Sequence, residues 1–178
     1  MIDLSKKKVV IFDLDDTLIK TVSGETFAKD ATDFIIRKEV LDKTRRAMPD
    51  LSIVCIATNQ GGIPKFMSQH DFNAKLRGIS AFIEGYLNEN LNDIMIDVYA
   101  YYCASLDKGN PMRKPNTGML ERFFEDKLRF AAPILKDKAN MLMIGDASGK
   151  EGQFSDSDKV CAEAFGIDYL DVEDFLSL

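Results

Sequence analysis

Four short apolar runs, each giving way to polar residues at its carboxyl end, constrain this chain more than any other feature. Residues 8–14, 51–57, 94–103 and 140–144 are rich in aliphatic and aromatic side chains and too short for buried helices, so they read as buried strands. Between them, residues 37–48, 68–88 and 117–130 repeat apolar positions at helical spacing. Ser68 with Asp71 forms a helix-start pattern, and Pro49 stops the helix before it. A helix over 156–165, a strand over 168–170 and a closing helix over 172–176 complete the series. Strands alternating with helices of this length predict a parallel sheet covered on both faces, a doubly wound, Rossmann-like α/β fold.

The 178 residues, 46% of them hydrophobic, suffice for one full core, and a single domain over 1–178 is expected. No repeat, low-complexity tract or linker divides the chain. No apolar stretch approaches the roughly 20 residues that cross a bilayer, and no signal peptide is evident. Cys55, Cys103 and Cys161 are far apart, without a Cys-x-x-Cys pair, and read as reduced core thiols. The expected location is therefore intracellular, cytoplasmic or nuclear, rather than secreted. A formal charge of −6 offers no electrostatic argument for nucleic-acid binding, so such a claim has to rest on motifs.

In open α/β sheets, ligands bind beyond the carboxyl ends of the strands. Polar residues cluster there: Asp13 and Asp15 after the first strand, Thr58, Asn59 and Gln60 after the second, Arg113 and Lys114 beyond the third, Gly145 and Asp146 at the fourth. Two residues apart in extended chain, Asp13 and Asp15 point the same way. One can attack phosphorus while the other handles the proton, and a carboxylate nucleophile splits a hard hydrolysis into two easier steps. Asp146 adds a carboxylate that, with Asp13, suits a hard divalent cation such as magnesium, which offsets repulsion between nucleophile and phosphate. The Thr58 hydroxyl can hold a phosphoryl oxygen and Lys114 supplies a compact positive charge. Taken singly, each residue has a plainer reading: a polar turn after Asp13 with Asp16 or Thr17 as a cap, a simple turn at Gly145, a surface threonine or lysine.

Taken in order, these residues resemble the haloacid dehalogenase superfamily and, more closely within it, the polynucleotide 3'-phosphatase family, whose phosphatase unit is often fused to a polynucleotide kinase. The resembling segments are residues 12–18, Ser23-Gly24, residues 58–63, residues 113–119, residues 145–149 and residues 154–158. They span most of the chain, and 113–119 and 145–149 are the most specific. The resemblance implies a domain without a separate cap, Asp13 as nucleophile and Asp15 as general acid and base. It implies magnesium held by the carboxylates of Asp13 and Asp146 with the carbonyl of Asp15, and phosphate positioned by Thr58 and Lys114. Substrate contacts are implied for Thr17, Ser23, Gly24, Asn59, Gln60, Arg113 and Asp158, with Asp156 competing for the last acidic role. Asp16 stands where this family commonly has glycine, a change expected to be harmless.

The implied substrate is a nucleic-acid 3' end, DNA ahead of RNA, with a separate kinase or ligase as a conceivable partner. An uncapped site suits a bulky substrate, and Lys20, Lys65 and Lys150 join Arg113 and Lys114 as cations for its phosphates. The short loop from Gly149 to Phe154, with Lys150 as its one cation, implies weak backbone contact. A capless small-molecule phosphatase, of the histidinol-phosphate or sugar-phosphate type, is the main alternative. Such relatives often carry a Cys- and His-rich zinc loop between the second and third motifs, where this chain has His70 and Cys103. A noncatalytic binding module is the other. The sequence contains no phosphate-binding loop of the Gly-x-x-x-x-Gly-Lys-Ser/Thr type, so kinase activity is not expected of it. His70, the one histidine, reads as exposed in a helix's first turn, and Lys6, Lys7 and Lys8 as a solvated lead-in.

Overall fold

The structure is a computed structural model that describes residues 2–25, 28–89 and 95–178. Strand β1 (Val9–Phe12) is followed by two short strands, β2 (Ile19–Lys20) and β3 (Ile35–Ile36), then α1 (Lys38–Ala47), β4 (Ile53–Asn59), α2 (Gln69–Asn88) and β5 (Asp97–Cys103). The second half continues with α3 (Gly118–Phe123), α4 (Pro133–Lys136), β6 (Met141–Gly145), α5 (Ser157–Phe165), β7 (Asp168–Asp171) and α6 (Val172–Ser177). Five strands form a parallel sheet in the order β5-β4-β1-β6-β7. Chain order reverses across β1, which places the switch point, and the crevice it opens, at the end of the first strand.

Alternation along each strand divides the core in two. Val10 and Phe12 face one layer with Val54, Ile56, Leu142 and Ile144, covered by α1, α2 and α6. Val9 and Ile11 face the other with Cys55, Met141 and Met143, covered by α3 and α5. Both faces of β1 are buried, which is why it reads as an unbroken apolar run rather than an alternating one. The doubly wound expectation is borne out. All three cysteines are buried and free, and His70 is exposed in the first turn of α2. Ser68 caps that helix, its hydroxyl accepting from the Asp71 amide at 3.1 Å.

Three local expectations differ from the structure. The helix over 117–130 is α-helical only to Phe123 and then widens into a π-helical turn over Phe124–Leu128, with the short α4 beyond it. Residues 15–37, to which no element was assigned before α1, carry the β2–β3 antiparallel pair, a small flap beside β1. Ile94, the start of the expected third strand, lies outside the described residues. Lys7 is not a solvated lead-in either: it is 3% exposed, and its ammonium donates to the carbonyls of Ala139 at 2.6 Å and Met141 at 3.1 Å and pairs with Asp168 at 2.5 Å. A long stem can be buried when every donor finds an acceptor, and here the carbonyls of Ala139, just before β6, and Met141, at its start, provide two of them. Lys6 and Lys8 form exposed pairs with Asp3 and Asp50.

Candidate active site

Asp13 directly follows β1, and its amide donates to the Ile144 carbonyl of β6 at 3.0 Å, so the sheet ladder itself fixes where its carboxylate stands. Lys114 reaches the same point from the loop after β5. Its side chain is 1% exposed, and its ammonium lies 2.5 Å from Asp13 Oδ1 and 2.7 Å from Asp158 Oδ1. The end of β4 aims that lysine: Asn59 donates to the Lys114 carbonyl at 2.9 Å and accepts from its amide at 3.0 Å. Asp158, on the first turn of α5, also accepts from the Ala147 amide at 3.3 Å. A Cβ on Gly145 would fall into the Asp158 carboxylate, which accounts for glycine there. Asp156 precedes α5 as its N-cap, with no side-chain capping bond. Of the two rival acids it is therefore Asp158 that faces Lys114.

Asp15 stands at the mouth. Its residue surface is exposed, yet protein atoms crowd the carboxyl and hold it above the usual carboxylate value, against the hydrogen bond that Gln60 donates at 2.6 Å. The same Gln60 amide donates to the Thr58 hydroxyl at 3.0 Å, so it joins the acid at the mouth to the buried hydroxyl at the end of β4. Thr17 is fully buried and donates to Asp146 at 3.4 Å. Asp16 has φ of +56°, in the left-handed region where glycine is at ease and where Asp is tolerated. Arg37 secures this turn by donating to the Asp16 carbonyl at 2.7 Å.

The other expected contacts bond within their own neighbourhoods. Ser23 is exposed in the flap and donates through its amide and hydroxyl to Asp33, at 2.8 and 2.6 Å. Gly24 has φ of +75° beside it. Arg113 donates to the Ser105 carbonyl at 2.9 Å. Lys150 pairs with Asp171 at 3.1 Å and Asp174 at 2.6 Å. Sequence reasoning missed Asp33, which organises the flap, and Lys75, on the buried face of α2. A lysine at a core position of the helical pattern was the signal for the second.

Carboxylate oxygens of Asp13, Asp146 and Asp158 all lie within 4.8 Å of one another. Fully ionised, the three carboxylates exceed the one ammonium by two negative charges, a state that burial and repulsion disfavour unless a cation joins them. Burial pushes the Asp13 carboxyl well up; Lys114 opposes that shift, while Asp158, Asp15 and Asp146 add to it. Asp146 is raised to about 6 by burial and then by Asp158. Burial works against the charge on Lys114 as well, but Asp13 and Asp158 outweigh it and hold the lysine protonated. Oxygen donors, a surplus of two charges and mutual repulsion suit a divalent cation, and the donor set fits magnesium.

A parallel sheet with its site at the switch point, Asp13 and Asp15 on the first strand end, and helices on both faces define a haloacid-dehalogenase-like phosphatase fold, with no separate cap among the described residues. A D,D-heptose bisphosphate phosphatase from B. bronchiseptica, solved with magnesium and phosphate, has this fold: TM-score 0.63 and 21% identity, over 91% of this chain and 78% of that one. The family described as polynucleotide kinase 3 phosphatase matches residues 8–176, and the chain belongs to it. The bifunctional polynucleotide phosphatase/kinase of Schizosaccharomyces pombe is 34% identical over 171 residues, which cover 95% of this chain and 37% of the relative. A relative in Acanthamoeba polyphaga mimivirus, whose name carries the same phosphatase/kinase pairing, is 28% identical over 184 residues, covering 94% of this chain and 41% of its own length. The chain thus spans well under half the length of these curated relatives. Among the described residues, no helix is long and apolar enough to cross a membrane.

Proposed function

We propose that this protein is a magnesium-dependent phosphatase that removes the phosphate from nucleic-acid 3' ends, DNA ahead of RNA, through an aspartyl-phosphate on Asp13. The observation that carries this reading is the Lys114 ammonium held between Asp13 and Asp158, with the raised Asp15 carboxyl at the mouth of the same site. Membership of the polynucleotide phosphatase family supports the choice of substrate. Asp13 and Asp146, with the Asp15 carbonyl, would hold magnesium, whose positive charge would offset the repulsion between an anionic phosphate and an anionic nucleophile.

The chain's own groups do the rest. An oxygen of Asp13 attacks phosphorus as the bond to the 3' oxygen breaks, while the Asp15 carboxyl gives that oxygen its proton. Asp15, now a carboxylate, takes a proton from water, whose oxygen attacks phosphorus and displaces Asp13 to release inorganic phosphate. Gln60 orients Asp15, and Asn59 keeps Lys114 on Asp13 rather than touching substrate itself. Thr58 and Lys114 hold the phosphoryl oxygens. Phe154, 98% exposed, and Phe66, 63% exposed, stand on the loops after β6 and β4, where bases can stack on them.

The test is a panel of 3'-phosphorylated oligodeoxynucleotide, its 5'-phosphorylated counterpart, and histidinol and sugar phosphates, with magnesium and with excess chelator. The expected result is turnover of the 3'-phosphate, little of the 5'-phosphate, a mild loss with added salt and none of this activity in chelator. Preferred turnover of a small phosphate ester would replace the nucleic-acid reading, and full activity in chelator would remove the metal.

A further inference from the structure

Lys75 lies on the buried face of α2, between Phe72 and Ile79, among side chains that fill the core. It is 7% exposed, and among the described residues its ammonium has no hydrogen-bond acceptor and no ion-pair partner. Among the described residues no buried side-chain nitrogen or oxygen lacks a partner, so it is the stem of Lys75 that is buried, while the ammonium tip reaches solvent and is free to take an anionic acceptor. The Phe34 ring, 5.1 Å from the ammonium, offers it an aromatic face but no acceptor. Burial draws Lys75 below the usual lysine range, while Asp15, Asp33 and Asp30 act in the opposite sense from a distance.

The ammonium opens onto a recess between α2 and the flap, lined by Asp15, Asp16, Lys20, Thr21, Asp33 and Lys75. Among the described residues, none of the acids there, Asp16 included, forms an ion pair with it. Asp33 is engaged by the Ser23 amide and hydroxyl and by the Lys29 amide at 2.9 Å, and Asp15 by Gln60. Asp15 borders both this recess and the site at Asp13. If Asp15 protonates the leaving oxygen, the sugar bearing that oxygen sits on the recess side, and the next phosphate of a strand is one sugar further on.

Resting on the proposed 3'-phosphatase activity, we infer that Lys75 contacts the phosphate on the 5' side of the terminal nucleotide, so that the site distinguishes a nucleotide in a strand from an isolated nucleoside 3'-phosphate. Neither the four motifs nor the family resemblance assigns this residue a role. One charge-assisted contact of this kind is worth about tenfold to a hundredfold.

The experiment compares release of the 3'-phosphate from deoxythymidine 3'-phosphate and from deoxythymidine 3',5'-bisphosphate, with magnesium, in the wild type, Lys75→Met and Lys75→Arg. The readout is the ratio of kcat/KM for the two substrates, in which any general damage cancels. Methionine keeps the stem and removes the unpaired charge, so this variant is expected to melt at or above the wild-type temperature. The wild type is expected to favour the bisphosphate by about tenfold or more. In Lys75→Met the ratio falls towards one, and in Lys75→Arg part of it returns. A ratio unchanged in Lys75→Met, with both substrates slowed alike, makes Lys75 structural and overturns the inference, as does a wild-type ratio near one. If the wild type cleaves neither nucleotide yet releases phosphate from the 3'-phosphorylated oligodeoxynucleotide, the one added phosphate is not what the site reads and the inference is overturned; if the oligodeoxynucleotide is not cleaved either, the 3'-phosphatase reading itself falls.

Discussion

At the scale of single residues, the site is a problem of excess charge. Asp13 is nearly enclosed, shares Lys114 with Asp158, and lies within reach of Asp146, so its carboxylate is held by geometry against repulsion. Replacing it tests chemistry apart from stability. In Asp13→Asn the shape is kept and Lys114 retains Asp158 at 2.7 Å, so folding is expected to survive, with an unchanged or higher melting temperature. Turnover of the 3'-phosphorylated strand is expected to fall by about 10³-fold or more, because an amide cannot form the acyl phosphate. Melting curves and single-turnover phosphate release on the same preparation check both halves. Near-normal release would remove Asp13 as nucleophile.

At the scale of elements, the flap is tied by one carboxylate. Asp33 accepts from the Ser23 amide and hydroxyl and from the Lys29 amide, and these bonds hold it at about 2, below its ordinary 3.8. A depressed value means that the folded flap favours the charged form. Its contribution is therefore complete above about pH 4 and is lost as the pH falls through about 2. The expected result is an Asp33 carboxyl titration centred near 2, with the Ser23 and Lys29 amide resonances moving in step. A midpoint near 3.8 would mean that these bonds do not order the flap in solution. The other linkage between elements, Asn59 on the Lys114 backbone, joins the end of β4 to the loop after β5 and makes the lysine's position a property of the sheet.

At the scale of the whole molecule, the N-terminal segment is stapled across the sheet by Lys7, which reaches the chain before β6 and Asp168 at the start of β7. Lys7→Ala strands two carbonyls and is expected to cost about 1–3 kcal/mol, which lowers the melting temperature by about 2–4 °C for each kcal/mol. Thermal and urea unfolding measure it, and a shift below one degree would show that water replaces the ammonium without loss. The sequence alone was enough to determine the strand–helix alternation, the two-faced core and the residues that gather at the carboxyl strand ends, because all of these are written in local periodicity and in the order of motifs. Only the tertiary structure shows that Asp158 faces Lys114, since this depends on which carboxylate the first turn of α5 turns towards it. It also paired Lys150 with Asp171 and Asp174, buried Lys7 and set Lys75 on the recess beside Asp15, because the partners of a long cationic side chain are set by elements far away in the chain. The flap was not legible for a related reason: two two-residue strands carry no periodicity, and what orders the chain between them is Asp33 meeting Ser23, ten residues away.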